Sequence, residues 1–481
     1  MKGLKKMEKR FFLAKISTSI SVYFFSLLIL IVAVIWGSFL YLKGQMISGP
    51  FIFGDELAYF SFAKSIFHHE SLELHTQYGP LFPFLISTLF NVKNIFTTYH
   101  LIRLFNILIF LSASIPAYLL AKEIFKNKWL TILLPVCVLL TPYSGVVYLI
   151  WAEPLYIPLF YWACFILYHH IKNPTLSNSL IVSIFLALLY YTKPASGLVV
   201  LIAAFLTLCM HAFIEKKSQS LQATLLNGIV LLTSFLLILP WLVHYHYLHV
   251  SLVGYPAVTG SFMSRLNHDG YATILFEIIR GVFYQFSYFI IGSFGLINLS
   301  IVLFIAKGKN LNSVERAFML FSLLCVLGLV ALSALGMSSM PGLDYKMPQG
   351  RYFSLLLPLL MTLSLHFLFK TASSKTNIKL LIGIIYLLTG IAILASPFYI
   401  RSPLVFNSMP EIAPYLYIMD QGNVVWRATI TEPSLFLRIG MPIIFAIFVT
   451  FLILFRRGKY TPFIASLIIF SLIAFSAFTE I

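Results

Sequence analysis

The chain has 481 residues, of which 60% are hydrophobic and only 10% charged. That balance excludes a water-soluble domain and specifies an all-α polytopic membrane protein. Lys and Arg outnumber Asp and Glu by 33 to 16, for a net charge of +17. In a soluble chain such an excess would raise the question of nucleic acid. In a membrane protein topology accounts for it, because Lys and Arg are retained on the cytoplasmic side, so no nucleic-acid partner is expected. The four cysteines, Cys137, Cys164, Cys209 and Cys325, lie in apolar runs without metal-ligand spacing, which argues against a disulfide framework or a zinc site.

The N-terminal "MKGLKKMEKRFFLAKIS" leads into an apolar run from about Ile20 to Leu42. The run is too long for the core of a signal peptide and no small-residue cleavage site follows, so an uncleaved first span with a cytoplasmic N-terminus is expected. Taking roughly 20 apolar residues per crossing, the sequence predicts about thirteen transmembrane helices. They fall at 20–42, 99–121, 129–149, 152–170, 177–192, 195–214, 221–244, 284–306, 315–337, 351–369, 378–395, 435–455 and 461–478.

Charge provides a separate check on this topology. Alternation from a cytoplasmic N-terminus puts "KEIFKNK", "IKN", "EKKS", "KGKNLNSVER", "KTASSKTNIK" and "RRGK" inside. The inner side then holds 21 Lys and Arg against four acids, Glu8, Glu123, Glu215 and Glu315, while the outer side holds 12 of each kind. The entire net charge is therefore cytoplasmic, as the positive-inside rule requires.

The outer face carries the other twelve acids and three long loops, 43–98, 245–283 and 396–434. No acid falls near the middle of a span, where an ion-coupled transporter would bury its carboxylates. Polar chemistry concentrated at one surface instead favours an enzyme working at the outer membrane interface.

The first outer loop opens with "FIFGDELAYFSF", which sets Asp55 and Glu56 in apolar surroundings. Asp55 at an N-cap position, followed by Leu57, Tyr59, Phe60, Ala63, Ile66 and Phe67 on one apolar face, predicts a short amphipathic helix in the interface. The next piece, "YGPLFPFLISTLFNVKN", has an apolar run too short to span and is expected to be re-entrant or interfacial. Two roles are open to the acid pair. Asp55 caps the helix and Glu56 complements its dipole, worth about 1 kcal/mol, or a carboxylate takes the proton of a hydroxyl nucleophile as general base.

In chain order there follow "HLIRLFNILIFLSASIPAYLLAKEIF", "LLTPYSGVVYLIWAEPLYIPLFYWACFILY", "LALLYYTKPASGLVVL" and, much later, "MPQGRYFSLLLPLL". With the acid pair and "YGPLFPFLIS", this order resembles the GT-C superfamily of integral-membrane glycosyltransferases, which includes protein O-mannosyltransferases and the lipid A aminoarabinose transferase. The resemblance covers the first 215 residues and returns at Gly350 to Leu360. It implies that Asp55 is the catalytic base of the first outer loop, with Glu56 beside it, and that Glu153 is the acid opening the "E-P-L" piece. Tyr78 and Pro80 of "YGP" match the segment that shapes the active-site floor, with Tyr59 and Tyr352 as further pocket residues. Lys193, Arg351 and Arg103 match basic positions expected to hold the donor phosphate. The implied donor is a polyprenyl-phosphate sugar and the implied outcome inversion, on the outer side of the membrane.

A departing polyprenyl phosphate gathers negative charge, and a fixed cation at that point stabilises the transition state more than the ground state. A snorkelling side chain accounts for each basic residue equally well, and an N-terminal dipole partner accounts for Glu153. Arg265, Arg280 and Lys64 are weaker candidates. His68, His69 and His75 near Asp55, and "HYHYLH" at His244 to His249, have the chemistry to bind a divalent cation, but their spacings demand no site.

The expected organisation is a catalytic transmembrane module over 1–245, containing the outer loop 43–98. A variable transmembrane module follows over 246–481, with outer loops 245–283, 338–350 and 396–434. The chain stops at Ile481 soon after the last span, so a small acceptor, or the glycan end of a lipid or cell-wall precursor, is expected over a polypeptide. The expected activity is glycosyl transfer to a lipid, glycan or protein acceptor at the plasma membrane. A flippase of lipid-linked saccharides, a glycan ligase or polymerase, and a non-catalytic subunit are the rival readings.

Overall fold

The computed structural model describes residues 2–45, 54–70, 78–92, 94–214, 221–247, 270–293, 295–307, 311–338, 355–370, 383–387, 390, 441–455, 458 and 460–480. Every regular element among them is helical. The N-terminal half comprises α1 (Lys2–Gln45), α2 (Gly54–His68), α3 (Leu81–Ser87) with a 3-10 turn over Thr88–Asn91, α4 (Ile95–Ser112), α5 (Ser114–Ile124) and α6 (Lys128–Leu139). A 3-10 segment, Pro142–Tyr148, leads to α7 (Glu153–Lys172), α8 (Leu176–Thr192), α9 (Pro194–Ile214) and α10 (Leu221–Tyr247). The rest holds α11 (Tyr271–Gly292), α12 (Leu296–Lys307), α13 (Ser313–Ser338), α14 (Leu357–Lys370), α15 (Met441–Phe455) and α16 (Thr461–Glu480).

Local chemistry sets these boundaries. Asn94 starts α4 by accepting from the Phe96 and Thr97 amides, Asn127 starts α6 by accepting from Trp129, and Thr175 starts α8 by accepting from Asn178. Each side chain satisfies a donor that has no partner in the first helical turn. At its other end α2 closes without glycine: His69 takes φ 56° and the Glu70 amide donates to the Ser65 carbonyl at 2.9 Å.

Among the described residues, five helices are long and apolar enough to cross a membrane: Phe24–Gln45, Ile95–Ile124, Pro194–Phe213, Leu221–His244 and Ser313–Leu335. Large apolar side chains such as Ile35, Leu108, Phe213 and Leu225 are exposed along them, as suits helices bounded by lipid. Inside, one continuous apolar core joins α2 and α4–α9 to α12–α14. α14 is buried on every side from Leu357 to Leu368, which marks it as the central helix of its region. It is tied to α7 by the Tyr161 hydroxyl, which donates to the Leu355 carbonyl at 2.8 Å. Of the cysteines, Cys137, Cys164 and Cys325 are buried and Cys209 is partly exposed.

One expectation needs revision, and two more are refined. The span expected at 129–149 is a helix only to Leu139, because Pro142 excludes the helical conformation at Thr141, which is extended at ψ 136°. Within the segment expected as the outer loop 245–283, residues from Tyr271 onward are helical, as the first part of α11. Glu277 and Arg280, which broke the apolar count, are one turn apart within that helix. The helix expected over 99–121 lies within the long apolar stretch Ile95–Ile124, in which Ala113 keeps helical angles and Pro116 has no amide to donate back to Ser112. α3, at seven residues, is as short as its sequence suggested.

The helix ends expected on the inner side are joined by ion pairs. Lys172 of α7 donates to Glu123 of α5 at 2.8 Å. Buried Glu315 of α13 meets both His366, at 3.5 Å, and Lys370 of α14.

Candidate functional site

The two acids that open α2 occupy different environments. Asp55 is partly exposed, and its Oδ1 accepts a hydrogen bond from the Tyr78 hydroxyl at 2.9 Å. Glu56 is only 1% exposed. Its Oε1 accepts from the Tyr99 hydroxyl and from the Ile150 amide, each at 3.2 Å. This reorganises the face expected for α2. Glu56, Tyr59, Phe62 and Ala63 point inward, while Leu57 is 48% exposed. Polar partners on α4 and on the 148–153 segment make the inward turn of Glu56 affordable, and nothing in α2 alone announces them.

Tyr78 carries the geometry from Asp55 to Lys193. Its ring lies against Tyr59, with centroids 4.7 Å apart, and Tyr59 in turn meets Phe82 edge-on at 5.6 Å. The next residue, Gly79, rests against the end of α8. A Cβ there would run into the Tyr191 carbonyl oxygen and would stand 2.6 Å from the Thr192 oxygen. Only the absence of a side chain lets the two backbones approach this closely. Pro80 then begins α3. The residue after Thr192 is Lys193, which ends α8. Its Nζ lies 2.6 Å from Oε1 of Glu153, the first residue of α7. Gly197 keeps the turn between α8 and α9 tight, since a Cβ there would stand 2.5 Å from the Tyr190 amide nitrogen.

A second set of contacts holds the chain between the 3-10 segment and α7. The carbonyls of Val147 and Leu149 accept from the Asn106 side-chain amide, at 3.4 and 2.8 Å. The Tyr148 carbonyl accepts from Tyr99, and the Ile150 amide donates to Glu56. This non-helical backbone is thus satisfied largely by side chains of α2 and α4, as buried backbone in a membrane protein must be. Beneath them, the Arg103 guanidinium stacks on the Tyr99 ring, 4.0 Å from its centroid. Its Nη1 donates to the Gly44 carbonyl at 2.7 Å, near the C-terminal end of α1, where helix carbonyls lack intrahelical partners.

The expected site residues Asp55, Glu56, Tyr59, Tyr78, Pro80, Glu153 and Lys193 therefore belong to one neighbourhood, linked through Tyr78–Gly79 on one side and Glu56–Ile150 on the other. Arg103 joins it from beneath, through Tyr99. Arg351, Tyr352, Arg265 and His75 lie outside the described residues. Tyr99, Asn106 and Ile150 carry much of the geometry and were not singled out from sequence. The one available signal was the i, i+4, i+7 spacing of Tyr99, Arg103 and Asn106 along α4, a polar stripe on an otherwise apolar helix. Among the described residues, no group of three or more His, Cys, Asp or Glu side chains is gathered to hold a metal ion.

No protein-family model matches the chain, and no curated protein matches it in sequence. Solved structures that resemble it are of the oligosaccharyltransferase AglB from Archaeoglobus fulgidus, a membrane glycosyltransferase of the GT-C superfamily. The apo form aligns at 13% identity with a TM-score of 0.46, over 93% of this chain and 56% of that one. A form tethered to an acceptor peptide aligns at 14% identity and TM-score 0.41, over 84% and 60%. A complex with an inhibitory peptide and a dolichol-phosphate aligns at 12% and 0.37, over 84% and 61%. The chain thus spans less than two thirds of the length of these structures.

Proposed function

We propose that the chain is an inverting glycosyltransferase of the GT-C kind, moving a sugar from a polyprenyl-phosphate donor to a lipid, glycan or protein acceptor at the outer face of the plasma membrane. In this reading about thirteen helices cross the bilayer from a cytoplasmic N-terminus, and α2 lies in the outer interface. The observation that carries it is the join between Gly79 and the end of α8. It links the partly exposed carboxylate of Asp55, held by Tyr78, to the cation of Lys193.

The chemistry divides between those two groups. Asp55 takes the proton of the acceptor hydroxyl as its oxygen forms a bond to the anomeric carbon, from the face opposite the leaving group. The bond from that carbon to the phosphate oxygen breaks, and its electron pair departs with the polyprenyl phosphate. Lys193 receives the growing charge on the phosphate, with Glu153 holding the ammonium in place. Arg351 and Tyr352 complete the donor pocket in this reading, on the strength of the sequence resemblance.

The test uses the purified protein in lipid with radiolabelled polyprenyl-phosphate sugars and candidate acceptors, wild type beside Asp55→Asn. Transfer by the wild type and its loss in the variant is the expected result. Transfer undiminished in Asp55→Asn overturns the base assignment, and no transfer with any donor favours the flippase.

A further inference from the structure

The acid pair invites the reading that both carboxylates act on substrate, but their surroundings separate them. Glu56 is buried and accepts hydrogen bonds from two elements at once, the Tyr99 hydroxyl of α4 and the Ile150 amide that precedes α7 by three residues. The Tyr99 hydroxyl has one proton, and at 3.2 Å from both Glu56 Oε1 and the Tyr148 carbonyl it serves the two alternately. Arg103, stacked on the Tyr99 ring and bonded to the end of α1, holds that ring in place. Three chain segments therefore meet at Glu56, the start of α2, α4 and the backbone at Ile150, and the end of α1 is joined to them through Arg103.

We infer that Glu56 is a positioning residue, held by Tyr99 and Arg103, which locks the start of α2 to the 147–153 segment and so sets the distance between Asp55 and the Glu153–Lys193 pair. The inference rests on Asp55 as the base in the reading above. Glu56 touches neither acceptor nor donor. Its carboxylate replaces the ladder hydrogen bond that a regular element would have supplied at Ile150. Arg103 acts through Tyr99 on that same lock, in place of the donor-phosphate role its sequence position suggests. Two routes run from adjacent residues to the same ion pair, one from Asp55 through Tyr78 and Gly79 to Lys193, the other from Glu56 through Ile150 to Glu153. The closed circuit fixes the base relative to the cation, and near-attack geometry of this kind governs kcat.

The experiment compares Glu56→Gln, Glu56→Ala, Tyr99→Phe and Asp55→Asn in the full chain in lipid, with three readouts. These are kcat and donor KM, thermal unfolding, and hydrogen exchange of a peptide covering 147–153. Glu56→Gln keeps an acceptor for Tyr99 and Ile150 and is expected to stay within about 3-fold of wild-type kcat, while Asp55→Asn loses about 100-fold or more. Glu56→Ala is expected to lower kcat by about 30-fold with donor KM within about 2-fold, and to speed exchange in 147–153. Tyr99→Phe follows in the same direction by a smaller factor, and serves if Glu56→Ala does not fold. A Glu56→Gln variant as inactive as Asp55→Asn overturns the inference by making Glu56 a catalytic residue. Unchanged exchange and unchanged kcat in Glu56→Ala overturn it by making the carboxylate a mere dipole partner. If Asp55→Asn stays active, the base assignment fails, and the exchange readout still decides whether Glu56 is the lock.

Discussion

Lys193 Nζ lies 2.6 Å from Glu153 Oε1, and the two side chains are 11% and 8% exposed. Removing one partner of such a pair leaves the other charge buried and uncompensated, at a cost of about 3–5 kcal/mol, whereas removing both is far milder. Lys193→Met is therefore expected to lower thermal stability strongly. Lys193→Met with Glu153→Gln should recover most of the stability and none of the transferase activity. Melting in lipid and a transfer assay on wild type and these two variants check both halves, and recovery of activity in the double variant would remove Lys193 from the donor site.

The Tyr78 hydroxyl donates to Asp55, and a hydrogen bond to a charged group is worth about 1.5–3 kcal/mol. Tyr78→Phe keeps the ring against Tyr59 and deletes that bond. Transfer is expected to fall by about 10- to 100-fold, with a loss of stability no larger than that one bond accounts for, because the apolar contacts survive. A variant with wild-type kcat would show that Asp55 is oriented by something else.

Gly79→Ala adds a single methyl where the Tyr191 and Thr192 carbonyls already stand. Backbone cannot yield as a flexible side chain would, so α3 and the end of α8 must separate, at a cost of about 1–3 kcal/mol. Activity should fall by more than the loss of stability explains. Measuring kcat on the folded fraction separates the two effects.

Buried Glu315 is held by His366 and by the exposed Lys370 among residues expected at the inner end of the bundle. Glu315→Ala is expected to destabilise by about 1–3 kcal/mol, discounted because Lys370 reaches water. The kcat of the folded protein should be unaltered. A selective loss of kcat, measured below the melting transition, would mean that the two ends of the bundle communicate.

The helical class, the core helices and the acid-pair neighbourhood were legible because each has a local signature. Apolar runs mark helices, and Asp55, Tyr78, Glu153 and Lys193 stand out as polar residues at the ends of apolar pieces. What was not legible depends on partners distant in the chain. The burial of Glu56 in place of Leu57 requires Tyr99 and Ile150, 43 and 94 residues away. The early start of α11 was hidden because Glu277 and Arg280, read singly, look like loop charges and not like neighbours on one helix. The end of α6 was visible in Pro142, but the apolar count ran through it to Leu149.

The burial of Cys137, Cys164 and Cys325 has a practical side. A water-borne maleimide should find only Cys209 to modify slowly, so the native protein offers a quiet background for thiol chemistry. Single cysteines introduced one at a time into loops of either expected side, read with membrane-impermeant and permeant reagents in intact cells, would then report sidedness directly. The same thiol-poor surface would let a spin or dye pair on α2 and α8 measure, in the working protein, the separation that brings acid and cation together.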